Sequence, residues 1–410
     1  MEVPTLNLSP KVPSVPRLED KTKIDLRYMV IEPYVSIHIH YDFDLGELVY
    51  EVEEPILSIE DTKSLEKIEN AMREIVNITL IGGANENKLD YIWKTAQLVV
   101  SELGLSIEEN AFQKIFYYLY RNFIGLNEIE AMMRDYFIED IECNGSGEPI
   151  YIVHRVFRNM KTNVRFKKAE YLSNFVEKLA QKTGKHISYS SPILDGSLPD
   201  GSRVNATYTQ DITSKGPTFT IRKFTKTPWT PIQLLGFHEM SPEMLAYFWI
   251  TLQYQSNMMI IGGTGTGKTT LLNAVAFFIP QDNRVVSIED TREINLPREN
   301  WLPSVVRSGV NVGGVGEVNM FSLLRGSFRQ NPDYVIVGEV RGEEASVLFQ
   351  GMASGHASIS TMHADSVDAL IRRLETPPIN LSPMLVNSLD VVAIISHAIV
   401  KGQETRRLRE

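Results

Sequence analysis

The stretch Ile260–Leu271, IIGGTGTGKTTL, decides the fold of the C-terminal half. It contains Gly262-x-x-x-x-Gly267-Lys268-Thr269, a complete phosphate-binding loop. The apolar run Met258–Ile261 predicts the strand that enters the loop. Leu271–Ile279 predicts the helix that leaves it, stopped by Pro280. Glycines let successive backbone N–H groups turn toward an anion, and the helix N-terminus adds a favourable dipole. The expected contacts to a nucleotide are Gly262, Gly263, Thr264, Gly265, Thr266, Gly267, Lys268, Thr269 and Thr270. Lys268 would reach the β/γ-phosphates, and the Thr269 hydroxyl would ligate Mg²⁺. The loop predicts binding of a nucleoside triphosphate with Mg²⁺.

Working outward, 410 residues suit two or three domains with sizeable cores. A formal charge of −10 argues against a nucleic-acid coat or a polybasic membrane patch. The single cysteine, Cys143, excludes an internal disulfide and a tetracysteine zinc module, and fits a reducing cytoplasm. No apolar run reaches the 18 or so residues of a membrane span. Val391–Val400, interrupted by Ser396 and His397, reads as a buried strand. The N-terminus lacks a basic segment followed by an apolar core, so no signal peptide is expected. Its prolines predict a flexible lead-in over residues 1–20. The reading is a soluble protein, peripheral to the membrane and not inserted.

Residues 21–140 read as a strand hairpin followed by helices. Val35, Ile37, Ile39 and Tyr41 alternate with polar residues, which puts His38 and His40 on one strand face. That spacing can hold a metal, but no third ligand is evident nearby, so a solvated strand face is the expectation. Ser106-x-x-Glu109 predicts a capping box for the helix through Phe112–Phe123. Residues 141–227 read as an α+β module and 228–240 as a proline-marked linker. From 241 to 410, strands and helices alternate, which predicts a mainly parallel sheet covered on both faces.

Chemistry is expected at the carboxyl ends of these strands. The run Asp333–Glu339 delivers Glu339, as in a Walker B element, with Gly338 where an aspartate often stands. Glu339 would then orient the attacking water or hold Mg²⁺ through water. The strand Arg284–Ile288 delivers Glu289 and Asp290, either of which can instead cap the following helix. His363 ends the strand Ala357–Thr361 and can donate to a γ-phosphate or sense its loss, whereas His356 precedes that strand. Arg203 and Arg222 are candidates for the cation that phosphoryl transfer draws from a neighbour. The glycine-rich Gly309–Gly316 lacks Lys-Thr and reads as a surface loop.

Together these segments resemble the secretion ATPases that drive type II and type IV secretion, type IV pili and the archaellum. GGTGTGKTT is similar to the Walker A box of that family and SIEDTREI to its aspartate box. RQNPDYVIVGEVRG is similar to the Walker B box, in which glycine before the glutamate is usual, and GHASISTMHAD to the histidine box. DYFIEDIECNGSGEPIYIVHR, SLPDGSRVNAT, FTIRKF and LPRENWLPSVVR resemble the archaeal branch, closest to the archaellum motor ATPase and its pilus-assembly relatives. The absence of a cysteine quartet disfavours the bacterial branch.

The resemblance implies a RecA-like α/β ATPase domain preceded by an α+β, PAS-like N-terminal domain with a helical segment. It also implies a homo-hexamer that binds ATP between the domains. By matching motifs, Glu339 becomes the Walker B glutamate, Glu289 the aspartate-box acid, and His356 and His363 the histidine-box pair. Arg203 and Arg222 match arginines that reach the nucleotide across domains. The implied partners are a polytopic membrane platform protein and accessory filament-motor proteins at the inner face of the cell membrane. Family members usually continue beyond the strand Val391–Val400, so a shortened C-terminus is an expectation here. The rival readings are a RecA-like nucleic-acid motor, a small-molecule phosphotransferase and a nucleotide-gated scaffold with little turnover.

Overall fold

A computed structural model describes residues 6–8, 10–13, 15, 20–75, 88–224, 228–307, 316–400 and 403–410. The glycine-rich 309–316 segment, apart from Gly316, lies outside the described residues, as does most of the 1–20 lead-in. The chain divides into two compact units, Met1–Lys223 and Phe224–Glu410.

The first unit is built on a nine-stranded sheet. Its strands are β1 (Asp25–Ile31), β2 (Val35–Asp42), β3 (Glu47–Glu53), β4 (Ile138–Cys143), β5 (Pro149–His154), β6 (Arg158–Arg165), β7 (Ile193–Ser197), β8 (Arg203–Thr207) and β9 (Thr218–Arg222). They lie in the order β1-β2-β3-β6-β5-β4-β9-β8-β7. Only β3 and β6 run parallel; the other neighbours are antiparallel. One sheet therefore carries strands from both the 21–140 and the 141–227 segments. The helices are α1 (Ile59–Ile75), α2 (Lys88–Glu102), α3 (Glu109–Leu119), α4 (Glu130–Arg134) and α5 (Ala169–Lys182). Strand β2 shows the period-two logic: Val35, Ile37 and Ile39 are buried while Ser36, His38 and His40 are half-buried. Phe116 and Tyr117 of α3, and Tyr120 just after it, are buried in the same core. The Ser106 capping box does not form, because α3 starts with Glu108 at its cap and no side-chain cap bond.

In the second unit the helices are α6 (Pro231–Gly236), α7 (Pro242–Gln253), α8 (Lys268–Val275), α9 (Met320–Ser327), α10 (Glu344–Ala353), α11 (Val367–Glu375) and α12 (Pro383–Val386). Its strands are β10 (Met258–Ile261), β11 (Val285–Glu289), β12 (Trp301–Val305), β13 (Tyr334–Val337), β14 (Ala357–Met362), β15 (Val391–Val400) and β16 (Gln403–Leu408). The order is β12-β11-β13-β14-β10-β15-β16, all parallel except the last pair. Residues 403–408 thus form an antiparallel strand on β15. Strands β10, β11, β13 and β14 are buried along their whole length, as central parallel strands must be. Side chains of β10 alternate between two cores. Met258 and Ile260 pack in one with Leu271, Leu272 and Val275. Met259 and Ile261 pack in the other with Leu324, Phe349 and Leu370. This is a three-layer α/β/α unit, mainly parallel. Its helix starts follow local chemistry: the Ser241 side chain accepts from Met244 N–H, with Pro242 at the first helical position. No described helix is long and apolar enough to cross a membrane.

The first unit is tied together by one buried carboxylate. Asp135 accepts from the hydroxyls of Tyr28 (2.6 Å) and Tyr50 (2.9 Å) and from Phe137 N–H (2.8 Å), joining β1 and β3 to the turn before β4. Replacing Asp135 by alanine strands these buried donors, each worth ~1–3 kcal/mol. The expected outcome is a loss of about 3–5 kcal/mol of stability, read from the urea midpoint of tyrosine fluorescence.

Candidate active site

The loop between β10 and α8 carries six of the nine residues predicted to touch a nucleotide, Gly262–Gly267, and the first turn of α8 carries Lys268, Thr269 and Thr270. Gly262 has to be glycine: a Cβ there would lie 2.2 Å from the Ile395 carbonyl oxygen of neighbouring β15. Gly267 caps α8 with φ of 99°, a left-handed conformation that opens the first turn. Gly263 and Gly265 are exposed, and Thr269 and Thr270 lie half-buried in the first turn of the helix.

Lys268 is buried and has found partners inside the protein. Its ammonium donates to the carbonyls of Gly262 (3.1 Å) and Gly263 (2.7 Å) and to Nδ1 of His363 (3.2 Å). Burial lowers the Lys268 pKa, with Glu339 acting in the opposite sense. Because an ammonium only donates, Nδ1 of His363 is the acceptor and Nε2 carries the proton. Nε2 of His363 lies 3.1 Å from Oε1 of Glu339. Burial, then the charge of Lys268, lowers the His363 pKa and favours this neutral tautomer.

Glu339 follows β13 through the fully buried run of Tyr334–Val337 and sits at the same sheet edge. Arg341 grips both its oxygens, at 2.8 and 2.7 Å. Burial raises the Glu339 pKa, but the bonds and charge of Arg341, with His363 and Lys268, bring it below the ordinary value. Asp290, the residue after β11, joins 3.5 Å from Arg341. The result is a continuous chain, Lys268–His363–Glu339–Arg341–Asp290. Arg341, within the stretch GEVRG, is a member of this group that the sequence reading passed over.

Glu289 plays a different part. Its Oε1 accepts from the N–H groups of Glu293 (2.8 Å) and Ile294 (2.7 Å), which folds the following loop back. Asn273 of α8 holds that loop from the other side, through Glu293 O (3.1 Å) and Asn295 N–H (2.9 Å). The Glu289 Oε2 is buried without a hydrogen-bond partner. Burial pushes the Glu289 pKa up to about 7 despite the two N–H bonds. Its Cγ lies 3.1 Å from where a Cβ on residue 338 would stand. Gly338 is thus the space that Glu289 fills.

A second feature was not legible in the sequence. Cδ of Arg406 on β16 lies 3.3 Å, and Oε1 of Glu239 3.7 Å, from a Cβ built on Gly267. His397, opposite Arg406 in the β15–β16 register, lies 3.9 Å from a Cβ built on Gly265. Burial pushes the Glu239 pKa to about 7, against the pull of Arg406 and Arg407. The β15–β16 pair therefore lays a histidine and an arginine against the phosphate loop.

The remaining predicted residues lie elsewhere. His356 precedes β14 and His363 follows it, so a strand of six residues, roughly 20 Å, separates them. The ring of His356 packs edge-on against Phe328 at 4.9 Å and does not join the group around Lys268 in its own chain. Arg203 and Arg222 belong to the first unit, where they are direct cross-strand partners on β8 and β9. Arg203 pairs with Asp195 through two bonds of 3.1 Å, and Arg222 with Asp140 at 3.1 Å.

Comparison with known proteins gives a consistent picture. The family model described as "Type II/IV secretion system protein" matches residues 126–405. The uncharacterized protein MJ0900 of Methanocaldococcus jannaschii is 34% identical over 95% of this chain and 69% of its own. Two further relatives from that organism are spanned over 66% and 34% of their length. The type IV secretion system protein PtlH of Bordetella pertussis is 28% identical over 58% of this chain and 79% of its own. Among solved structures, the ATPase DotB of Legionella pneumophila is similar with a TM-score of 0.49 and 20% identity, over 67% of this chain and 76% of that one.

Glu289 makes stability depend on pH. Its folded pKa of about 7 lies above the ordinary 4.5, so between these values the folded state holds a proton that the unfolded state releases. Stability therefore falls as pH rises through this window. Glu289→Gln removes the term. In nucleotide-free buffer the variant should gain on the parent between about pH 5 and about pH 8, by on the order of 2–3 kcal/mol. Paired urea titrations at the two pH values check this; parallel curves would reject it.

Proposed function

Because the chain belongs to the type II/IV secretion system protein family, we propose that it is an ATP-hydrolysing motor of a secretion or pilus system. In detail, we infer a homo-hexameric ring that powers assembly or rotation of an archaeal type IV pilus-like filament, archaellum or pilus. It would work from the cytoplasmic face on a polytopic membrane platform protein, alongside accessory filament-motor proteins. The observation that carries the reading is the chain of contacts from the phosphate loop through Lys268 and His363 to Glu339. The Methanocaldococcus relative and the secretion protein PtlH support the system and the archaeal setting.

The residues around the loop fit Mg²⁺. They offer hard oxygen donors: the Thr269 hydroxyl, Glu339, and the buried, unpartnered Oε2 of Glu289. Thr269 would hold the ion directly and the carboxylates through water; when bound, Mg²⁺ neutralises charge on the phosphate oxygens.

The chain's own residues do the rest. Entry of the phosphates lets Lys268 exchange the Gly262 and Gly263 carbonyls for phosphate oxygens. Loss of its bond to Lys268 frees His363 to turn toward the γ-phosphate. Glu339, once released by Arg341, can accept a hydrogen bond from the attacking water and align it. Arg203 and Arg222 are each held by an exposed or half-buried carboxylate, so a phosphate can replace that partner. We assign them to the nucleotide of the assembled ring, where they would add positive charge to the transition state.

In solution, Mg²⁺ with a slowly hydrolysed ATP analogue should shift the mass to about six subunits, the ring of the reading above. Glu339→Gln should keep nucleotide binding and lose turnover by at least about 100-fold, whereas Lys268→Ala should lose binding itself. A Glu339→Gln variant that hydrolyses ATP normally would overturn the catalytic assignment. A nucleotide-bound monomer would overturn the ring.

A further inference from the structure

The three strands at one end of the nine-stranded sheet bring together a set of side chains that the nucleotide chemistry does not use. His38 and His40 project from the same face of β2, their rings stacked with centroids 4.4 Å apart. The antiparallel register sets Glu51 of β3 directly opposite His38. A ring nitrogen of each histidine and a carboxylate oxygen of Glu51 all lie within 4.8 Å of one another. Sequence alone offered two ligands; the hairpin supplies the third. We propose that His38, His40 and Glu51 form a binding site for a divalent transition-metal ion of the zinc type.

Neighbouring groups prepare the ligands. Asp25 Oδ1 lies 2.8 Å from Nε2 of His38 and accepts a hydrogen bond from its N–H, which leaves the lone pair on Nδ1. That Nδ1 is turned toward Glu51 Oε2, 3.8 Å away. A carboxylate behind a histidine, fixing its tautomer, is the usual support of a metal-bound imidazole. Nδ1 of His40 is enclosed and makes no hydrogen bond, a buried polar atom short of a partner. Two imidazoles and one carboxylate suit Zn²⁺ and leave a fourth position for water. Bonds of about 2.0–2.2 Å need ligand atoms roughly 3.3 Å apart, so the site must close slightly by side-chain rotation.

One group opposes the ion. Arg27 of β1 is held at 2.8 Å by Glu53, and its Nη2 reaches Nδ1 of His38 at 3.4 Å. The guanidinium occupies the lone pair that the metal would take. Binding therefore exchanges one cation for another, with Arg27 drawn back onto Glu53.

The test is a calorimetric titration of the full chain with zinc chloride, nucleotide-free and with excess Mg²⁺ to occupy the phosphate-loop site. One ion per chain is expected. His40→Ala and Glu51→Gln should each weaken binding at least about tenfold, and Asp25→Asn by about tenfold through loss of support. Arg27→Ala should tighten it. Cobalt(II) in place of zinc should give visible absorption bands that His40→Ala abolishes. Absence of saturable binding overturns the proposal. So does binding that Glu51→Gln leaves unchanged, or a weaker site in Arg27→Ala. Circular dichroism identifies any variant that fails to fold, and the conservative Glu51→Gln and exposed Arg27→Ala decide the matter if His40→Ala does.

Discussion

A buried ammonium must find partners, and the arrangement of the C-terminal unit follows from where Lys268 finds them. Two are carbonyls of its own loop, and the third is a ring nitrogen brought by another strand. That third bond sets the tautomer of His363, whose Nε2 lies beside Glu339. Three segments far apart in sequence are thereby connected through one charge. The parallel sheet makes this possible, since β10, β13 and β14 all finish at the same edge. A phosphate arriving there meets a lysine already desolvated and oriented, and competes only with weak neutral acceptors.

The parts of this site visible in the sequence are those that end apolar runs. Met258–Ile261, Tyr334–Val337 and Ala357–Met362 are buried throughout, so a polar residue just after each must sit at the sheet edge. Glu339 and His363 are found that way. His356 stands at the other end of β14 from His363, because a strand carries its two flanking residues to opposite edges of the sheet. Arg341 escaped because a surface arginine two residues from a glutamate has no periodic signature. Glu239 and Arg406 escaped because only β16 pairing back on β15 brings them to the loop, and no periodic pattern in the sequence announces that pairing. Glu51 belongs with these, since cross-strand partners depend on a register that composition does not disclose.

In the first unit, the ends of one long sheet hold different chemistry. The β1–β3 end sets imidazoles among carboxylates, while β8 and β9 set two arginines side by side, each with its own acid. Like charges directly opposite on a sheet are unfavourable unless compensated. The Asp195 and Asp140 partners supply that compensation within the unit, and an anion of higher charge could replace them.

The packing of Glu289 against Gly338 has a consequence for how this chain can change over time. The two positions lie at the ends of adjacent strands, in boxes some fifty residues apart, yet they share one small volume. An aspartate at 338 would press a new Cβ to 3.1 Å from a side chain pinned by two backbone N–H groups. A shorter acid at 289 would leave those N–H groups without their acceptor. Each single step is therefore costly, and only a double exchange leads to the aspartate-bearing arrangement. The glycine and the glutamate should be inherited as a pair, and a sequence that has lost one should show a compensating change at the other.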